Sequence, residues 1–266
     1  MRGTTSHVRG SARTWPPGSF LGRLHAQERA TLLSFGGHDA YKPGEHLLID
    51  GDQGGFVVLI HAGQVKVVMQ DEQGNEHLLG IRARGSLLGE VSYIDGGLRS
   101  ASVVAISKVR ASRIARDRLD GFLRDHPRVA MEIARVLADR LRASDQSSRD
   151  IRSDRVAVRV AKLLQSLADE FDDSLELGRA DRANRRGTVI QLSQADIAQL
   201  AHAAEVTVNK VLREFKHTDV VRTYYRRIVV PCLECLDRLV VAVSADPKEG
   251  AKGVLGCGGT GRHGQE

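Results

Sequence analysis

From about Tyr41 to Arg116 the chain alternates short apolar runs with glycine-marked turns. The runs are Phe56-Val57-Val58-Leu59-Ile60, Val65-Lys66-Val67-Val68 and Ala101-Ser102-Val103-Val104-Ala105-Ile106, and the glycines stand at 44, 51, 63, 74 and 85, then at Gly96-Gly97. Turn signals about 11 residues apart between β-type runs predict an all-β sandwich or roll. Asp71-Glu72-Gln73-Gly74-Asn75 is the polar hairpin linking Val65–Val68 to Glu76-His77-Leu78-Leu79. After residue 116 the apolar period lengthens from two to about 3.6, which marks the passage from strands to helices.

A short helix is predicted near Leu119 to Leu123, with a stop at His126-Pro127. From Pro127, which suits a first helical turn, a long helix runs to about Gln146 or beyond. Its seam falls at Ala130, Ile133, Leu137, Arg140 and Ser144, flanked by Val129, Val136 and Leu141. Such a stripe favours a two-helix dimer seam, with part of it covering the chain's own roll. The polar segment Ser144 to Ser153 reads as a helix end or hinge. Val156, Val160, Leu163, Leu164 and Leu167 mark the next amphipathic helix, followed by a charged loop over 172–187 and a short strand over Thr188–Leu192.

Two close helices follow, Gln194 to Ala201 and about Thr207 to Lys216. Ser193 and Asp196 make an approximate capping box for the first, and His202-Ala203-Ala204 is the turn. The second points Val208, Val211, Leu212 and Phe215 inward and leaves Asn209, Lys210, Arg213 and Lys216 outward. Helices so spaced form a helix-turn-helix, whose second helix enters the DNA major groove N-terminus first. The hairpin Val220 to Val230 has apolar ends and a basic, aromatic tip, so Arg222, Arg226 and Arg227 are candidate phosphate contacts of a wing.

Bulk properties agree with that reading. The 266 residues suffice for two domains with separate cores, and a hydrophobic share of 41% is ordinary for a soluble protein. The formal charge of +6 favours a polyanionic partner. No apolar run approaches the roughly 18 residues of a spanning helix, and the first 22 residues lack a signal-peptide core, so a cytoplasmic protein without a membrane partner is expected. Cys232, Cys235 and Cys257 read as incidental thiols rather than a metal site, since no second ligand pair accompanies Cys232-x-x-Cys235. No nucleophile elbow, metal-ligand run or P-loop points to an enzyme.

One segment carries specific chemistry: Gly89-Glu90-Val91-Ser92-Tyr93-Ile94-Asp95-Gly96-Gly97-Leu98-Arg99-Ser100-Ala101. Gly89 permits close backbone approach, and Arg99 can grip a cyclic phosphodiester through two donors while Ser100 adds a hydroxyl. Glu90 can accept from the ribose 2′-hydroxyl that a 3′,5′-cyclic linkage leaves free. The segment resembles the phosphate-binding cassette of cyclic-nucleotide-binding domains, with Gly-Glu followed about ten residues later by Arg-Ser-Ala. The order of roll, long helix, hinge and winged helix-turn-helix resembles the Crp/Fnr regulators over about residues 20 to 231.

That resemblance implies an α+β chain: an N-terminal jelly-roll-like β-roll, a long dimerisation helix and a C-terminal winged helix-turn-helix. The divisions are a disordered tail over 1–19, the roll over 20–126, dimerisation helix and hinge over 127–152, the DNA-binding domain over 153–243 and a disordered Gly-rich tail over 244–266. It implies cyclic AMP, with cyclic GMP second, as allosteric ligand, a homodimer on a palindromic DNA operator, and contact with RNA polymerase. It places Arg140 where the family pairs an arginine with the cassette glutamate, and Ser144 and Asp145 where the family has two base-contacting hydroxyl residues. Asp145 departs from that pattern, since a carboxylate accepts but cannot donate. The recognition helix departs too: Glu205 and Val206 replace the family's arginine and glutamate, followed by Thr207, Val208, Asn209 and Lys210. Glu205 could accept from a cytosine amino group and Lys210 could contact guanine. No cysteine precedes Cys232, so the N-terminal iron–sulfur cluster of the Fnr branch is not expected. Two alternatives stay open: a regulator whose pocket is vestigial, and a cyclic-nucleotide-responsive module that docks protein.

Overall fold

The computed structural model describes residues 15–171 and 187–246, together with 251 and 254. The remainder of the two expected tails, with Cys257, and most of the expected charged loop lie outside the described residues. Trp15, Pro16 and Ser19, assigned above to the first tail, are half-buried, and the Arg84 guanidinium lies 4.2 Å from the Trp15 ring centroid. The Ser19 hydroxyl accepts from Gly22 N as the cap of α1 (Phe20–Arg23). α2 (Ala26–Leu33) follows.

Eight strands form the roll: β1 (His38–Tyr41), β2 (His46–Leu48), β3 (Phe56–Ala62), β4 (Val65–Gln70), β5 (Glu76–Arg82), β6 (Leu87–Leu88), β7 (Ser102–Ala105) and β8 (Val109–Ala115). They make two antiparallel sheets, ordered β1-β8-β3-β6 and β2-β7-β4-β5. The predicted runs fall on β3, β4 and β7, and the Asp71–Asn75 connection is the β4–β5 hairpin. Asp71 closes it, accepting through one carboxylate oxygen from Gln73 N at 3.0 Å and Asn75 N at 2.8 Å. Between the sheets Val58, Ile60, Val65, Val103 and Ala111 form one buried core.

α3 (Glu90–Asp95) interrupts the strands, and α4 (Arg116–Asp125) leads to α5 (Pro127–Ser153). The polar stretch expected to hinge stays helical to Ser153, and the break falls at Asp154–Arg155. Part of the seam expected on α5 packs within the chain, as the share covering its own roll. Val129 and Ile133 are buried against α1, α4 and the outer face of β3 and β8, and Arg140 turns to the chain's own Glu90. Ala130 and Ser144 of that seam are exposed and Leu137 is half-buried, and the large apolar side chains left exposed on α5 are Met131, Leu141, one turn beyond Leu137, and Ile151. Heptad spacing cannot say which of two adjacent stripes the roll will claim. Here α1 and α2 decide it: Arg128 of α5 donates to Glu28 at 2.7 Å and to Glu132 at 2.9 Å, and Arg23 pairs with Asp139 at 2.7 Å.

The C-terminal part contains α6 (Val156–Phe171), β9 (Thr188–Ile190), α7 (Gln194–Leu200), α8 (Glu205–His217), β10 (Arg222–Tyr224), β11 (Arg227–Val230) and α9 (Leu233–Ala245). Its sheet has the order β10-β11-β9. The two expected cores are not separate. Val68, Leu78, Ile81, Ala83 and Val104 of the roll join Leu164, Leu192, Ile197, Phe215 and Val230 in a single buried cluster. The Leu78 amide on edge strand β5 donates to Gln199 Oε1 of α7 at 2.8 Å.

Candidate functional site

Gly89 caps α3 with φ +79, in the left-handed region that glycine enters without penalty. A Cβ there would lie 2.3 Å from Arg99 Nη1, so backbone conformation and close packing require glycine together. Ten residues on, Arg99 returns beside it. Nη1 donates to Gly89 O at 3.1 Å and to Ser92 Oγ at 2.6 Å, and Nη2 donates to Phe56 O. The guanidinium lies 4.9 Å from the Phe56 ring centroid, and the residue is 4% exposed. Burial lowers its pKa, opposed by the nearby charges of Glu90 and Asp52. Three of the five N–H donors of a guanidinium are thus fixed, while the edge formed by Nε–H and the second Nη2–H bonds to no described residue. That edge has the fork geometry of bidentate oxyanion contact.

Glu90, 4% exposed, opens α3 and holds an ion pair with Arg140 Nη1, whose Nη2 donates to Leu87 O at 3.1 Å. The fold therefore brings Gly89, Glu90, Arg99 and Arg140 together. Ser100 lies exposed next to Arg99, and Ala101 is half-buried. Ser144 and Asp145 are both exposed on α5. Ser144 borders a cavity of about 850 Å³ that Leu87, Arg82, Arg84 and Arg140 also line, between roll, α5 and α7. Asp145 does not line it, and neither do Glu90, Arg99 and Ser100.

The second site lies at α7 and α8. Ser193 Oγ accepts from Asp196 N at 3.1 Å and Asp196 Oδ2 accepts from Ser193 N at 2.8 Å, so the Ser193 hydroxyl serves the cap. The turn is short because His202 takes φ +48. Arg159 of α6, which no local motif marks, fixes that turn by donating to Ala201 O at 3.0 Å and His202 O at 3.2 Å. Phe56, which helps orient Arg99, carries no local signal either, nor does Gln199, because each acts through a contact distant in sequence.

Along α8, Val208, Val211, Leu212 and Phe215 are buried as expected, whereas Glu205, Val206, Thr207, Lys210 and Arg213 are exposed. Asn209 differs from its expected outward position. It flanks the buried stripe and is half-buried, with Oδ1 enclosed and no hydrogen bond among the described residues. On the wing, Arg222 pairs with Asp219 at 2.9 Å, Arg227 stacks 4.7 Å from the Tyr224 ring centroid, and Arg226 stands at the tip with φ +50.

A β-roll with a buried Gly-Glu and arginine cassette, joined by a long helix to a winged helix-turn-helix, defines a DNA-binding transcription regulator. The chain belongs to the CRP-like transcriptional regulators, a family of regulators rather than enzymes. A cyclic nucleotide-binding domain matches residues 38–126 and a Crp-like helix-turn-helix domain matches residues 158–239. The CRP-like cAMP-activated global transcriptional regulator of Mycobacterium tuberculosis is 34% identical over 195 residues, covering 73% of this chain and 84% of that protein. The cyclic AMP receptor protein of Thermus thermophilus is 29% identical over 203 residues, covering 75% and 86%. Among solved structures, the c-di-GMP responsive global regulator CLP of Xanthomonas campestris shares the fold with a TM-score of 0.61 at 18% identity, covering 77% of this chain and 99% of that one. No described helix is long and apolar enough to cross a membrane.

Proposed function

We propose that this chain acts as a homodimer whose affinity for a DNA operator is set by a cyclic nucleotide, cyclic AMP ahead of cyclic GMP, bound in the roll. The observation that carries this reading is the state of Arg99: anchored by three donors to the protein, with the Nε–Nη2 edge left to meet a cyclic phosphate. Glu90 would accept from the ribose 2′-hydroxyl, and Ser100 would add a donor at the phosphate. Arg140 links Glu90 to α5, so a ligand that competes for Glu90 acts directly on the dimerisation helix, where Ser144 from the partner helix, with Asp145 beside it, meets the base. The ligand works by binding one dimer state more tightly than the other.

On DNA, Glu205, Thr207, Lys210 and Arg213 face base edges and nearby phosphates, while Arg222, Arg226 and Arg227 grip the backbone. Val206 shares that face, and Asn209 and Ser193 lie beside it. RNA polymerase is the further partner of such a regulator, and the cytoplasm its compartment. Selection of duplexes from a random pool, with and without cyclic AMP, tests the reading. Cyclic AMP should enrich two-fold symmetric sites with half-sites about 34 Å apart. An Arg99→Ala protein that keeps full cyclic-AMP stimulation overturns it.

The Glu90–Arg140 pair favours a second reading, because the cassette carboxylate is already neutralised without ligand. In that case the protein binds DNA constitutively over a vestigial pocket. Calorimetric titration with cyclic AMP and cyclic GMP distinguishes the two, since a vestigial pocket gives no heat with either.

A further inference from the structure

Val206 occupies the second position of α8 and is 80% exposed, whereas Val208, two residues on, is wholly buried. Helical spacing explains the contrast. Val208, Val211, Leu212 and Phe215 fill the inward stripe, and Val206 shares the opposite face with Lys210 and Arg213, four and seven residues further on. That outward face is apolar at its N-terminal end and basic beyond it. A branched valine in a first turn gains nothing in helix propensity, because β-branching restricts its side chain there. No packing within the chain accounts for it either.

We propose that Val206 is a specificity-determining residue that reads the C5-methyl group of a thymine in the major groove. This inference rests on the DNA-binding reading above. A recognition helix enters the groove N-terminus first, which puts Val206 deepest and leaves Lys210 and Arg213 nearer guanine edges and phosphates. Every base presents hydrogen-bonding atoms at the major-groove edge, and thymine alone adds a methyl group. Valine has no donor or acceptor. Facing guanine, cytosine or adenine it strips water from polar atoms and replaces no bond, which is unfavourable. Facing thymine it buries methyl against methyl. Each half-site should therefore hold one thymine opposite the start of α8, beside the base that Glu205 contacts.

The test replaces each thymine of a selected duplex, one at a time, by deoxyuridine, which lacks only the methyl group. Binding is followed by fluorescence anisotropy with the full-length protein, Val206→Ala and Val206→Ser. At one thymine per half-site the substitution should weaken wild-type binding roughly fourfold, the effect of exposing about one methyl-sized group. The same substitution should change binding of the Val206→Ser protein by less than about twofold. Val206→Ala, which keeps Cβ, should fall between, and the exposed site leaves folding of both variants unaffected. Two results overturn the inference alone: a bound duplex insensitive to deoxyuridine at every thymine, or equal sensitivity in wild type and Val206→Ser. If no duplex is selected or bound at low salt, the DNA-binding reading itself falls, and this inference with it.

Discussion

Arg226, proposed above as a phosphate contact, would serve partner and fold in opposite senses. It sits in the two-residue turn between Tyr224 and Arg227 with φ +50, where any side chain beyond glycine is strained, and it is exposed. Arg226→Gly should stabilise the protein by about 1 kcal/mol in urea unfolding. The same change should weaken duplex binding and lower the slope of log affinity against log salt by about one, the loss of one phosphate contact. If affinity and slope stay at wild-type values, the wing tip does not reach the backbone. Residue-scale legibility follows sequence separation. Glu90 and Arg99 could be named in advance because they stand within ten residues of each other in one Gly-Glu to Arg-Ser-Ala segment, and the Ser193–Asp196 cap because it spans one turn. Arg159 could not be, since its carbonyl partners lie more than forty residues away.

α5 is the element where periodicity left most undecided. Its two adjacent stripes are both apolar enough for a partner, and the choice belongs to α1, α2 and their ion pairs. Glu28 shows the strength of that attachment: the Arg128 guanidinium holds its carboxyl below the usual range, against the opposing effect of burial. Because the folded pKa is the lower one, this contribution is complete above about pH 4.5 and fades as pH falls through the folded value. The two stripes make different predictions. Ile133→Ala, in the core against the roll, should cost about 3 kcal/mol whatever the protein concentration. Leu141→Ala, on the exposed stripe, should scarcely change the stability of a protomer and should instead weaken self-association in sedimentation. The reverse pattern would move the dimer seam onto the stripe of Ile133. The strands, by contrast, were legible at element scale because glycine turns and β-branched runs repeat the same signal many times over.

The whole molecule departs furthest from what its sequence suggests, because the roll and the DNA-binding part share one core. Alternating and helical patterns report which face of an element is apolar and are silent on what covers it. Leu78 and Val68 thus fit a roll interior as well as the domain junction they occupy. Gln199 ties that junction, and Gln199→Leu should speed exchange of the Leu78 amide hydrogen about fivefold, the opening expected when a hydrogen bond worth about 1 kcal/mol is lost. An unchanged exchange rate would show the apolar contact alone holds the parts together.

β5 is an outer strand, and such strands are templates on which other chains can polymerise. The turn of α7 against it, with Gln199 capping one of its amides, means that the DNA-binding part also shields the roll from its own kind. A roll severed after residue 126 would present this strand bare beside an uncovered apolar patch, and should clump rather than sense. In this chain, shuffling the two parts among regulators would carry a solubility penalty as well as a regulatory one, a constraint on how such a protein can recombine in evolution.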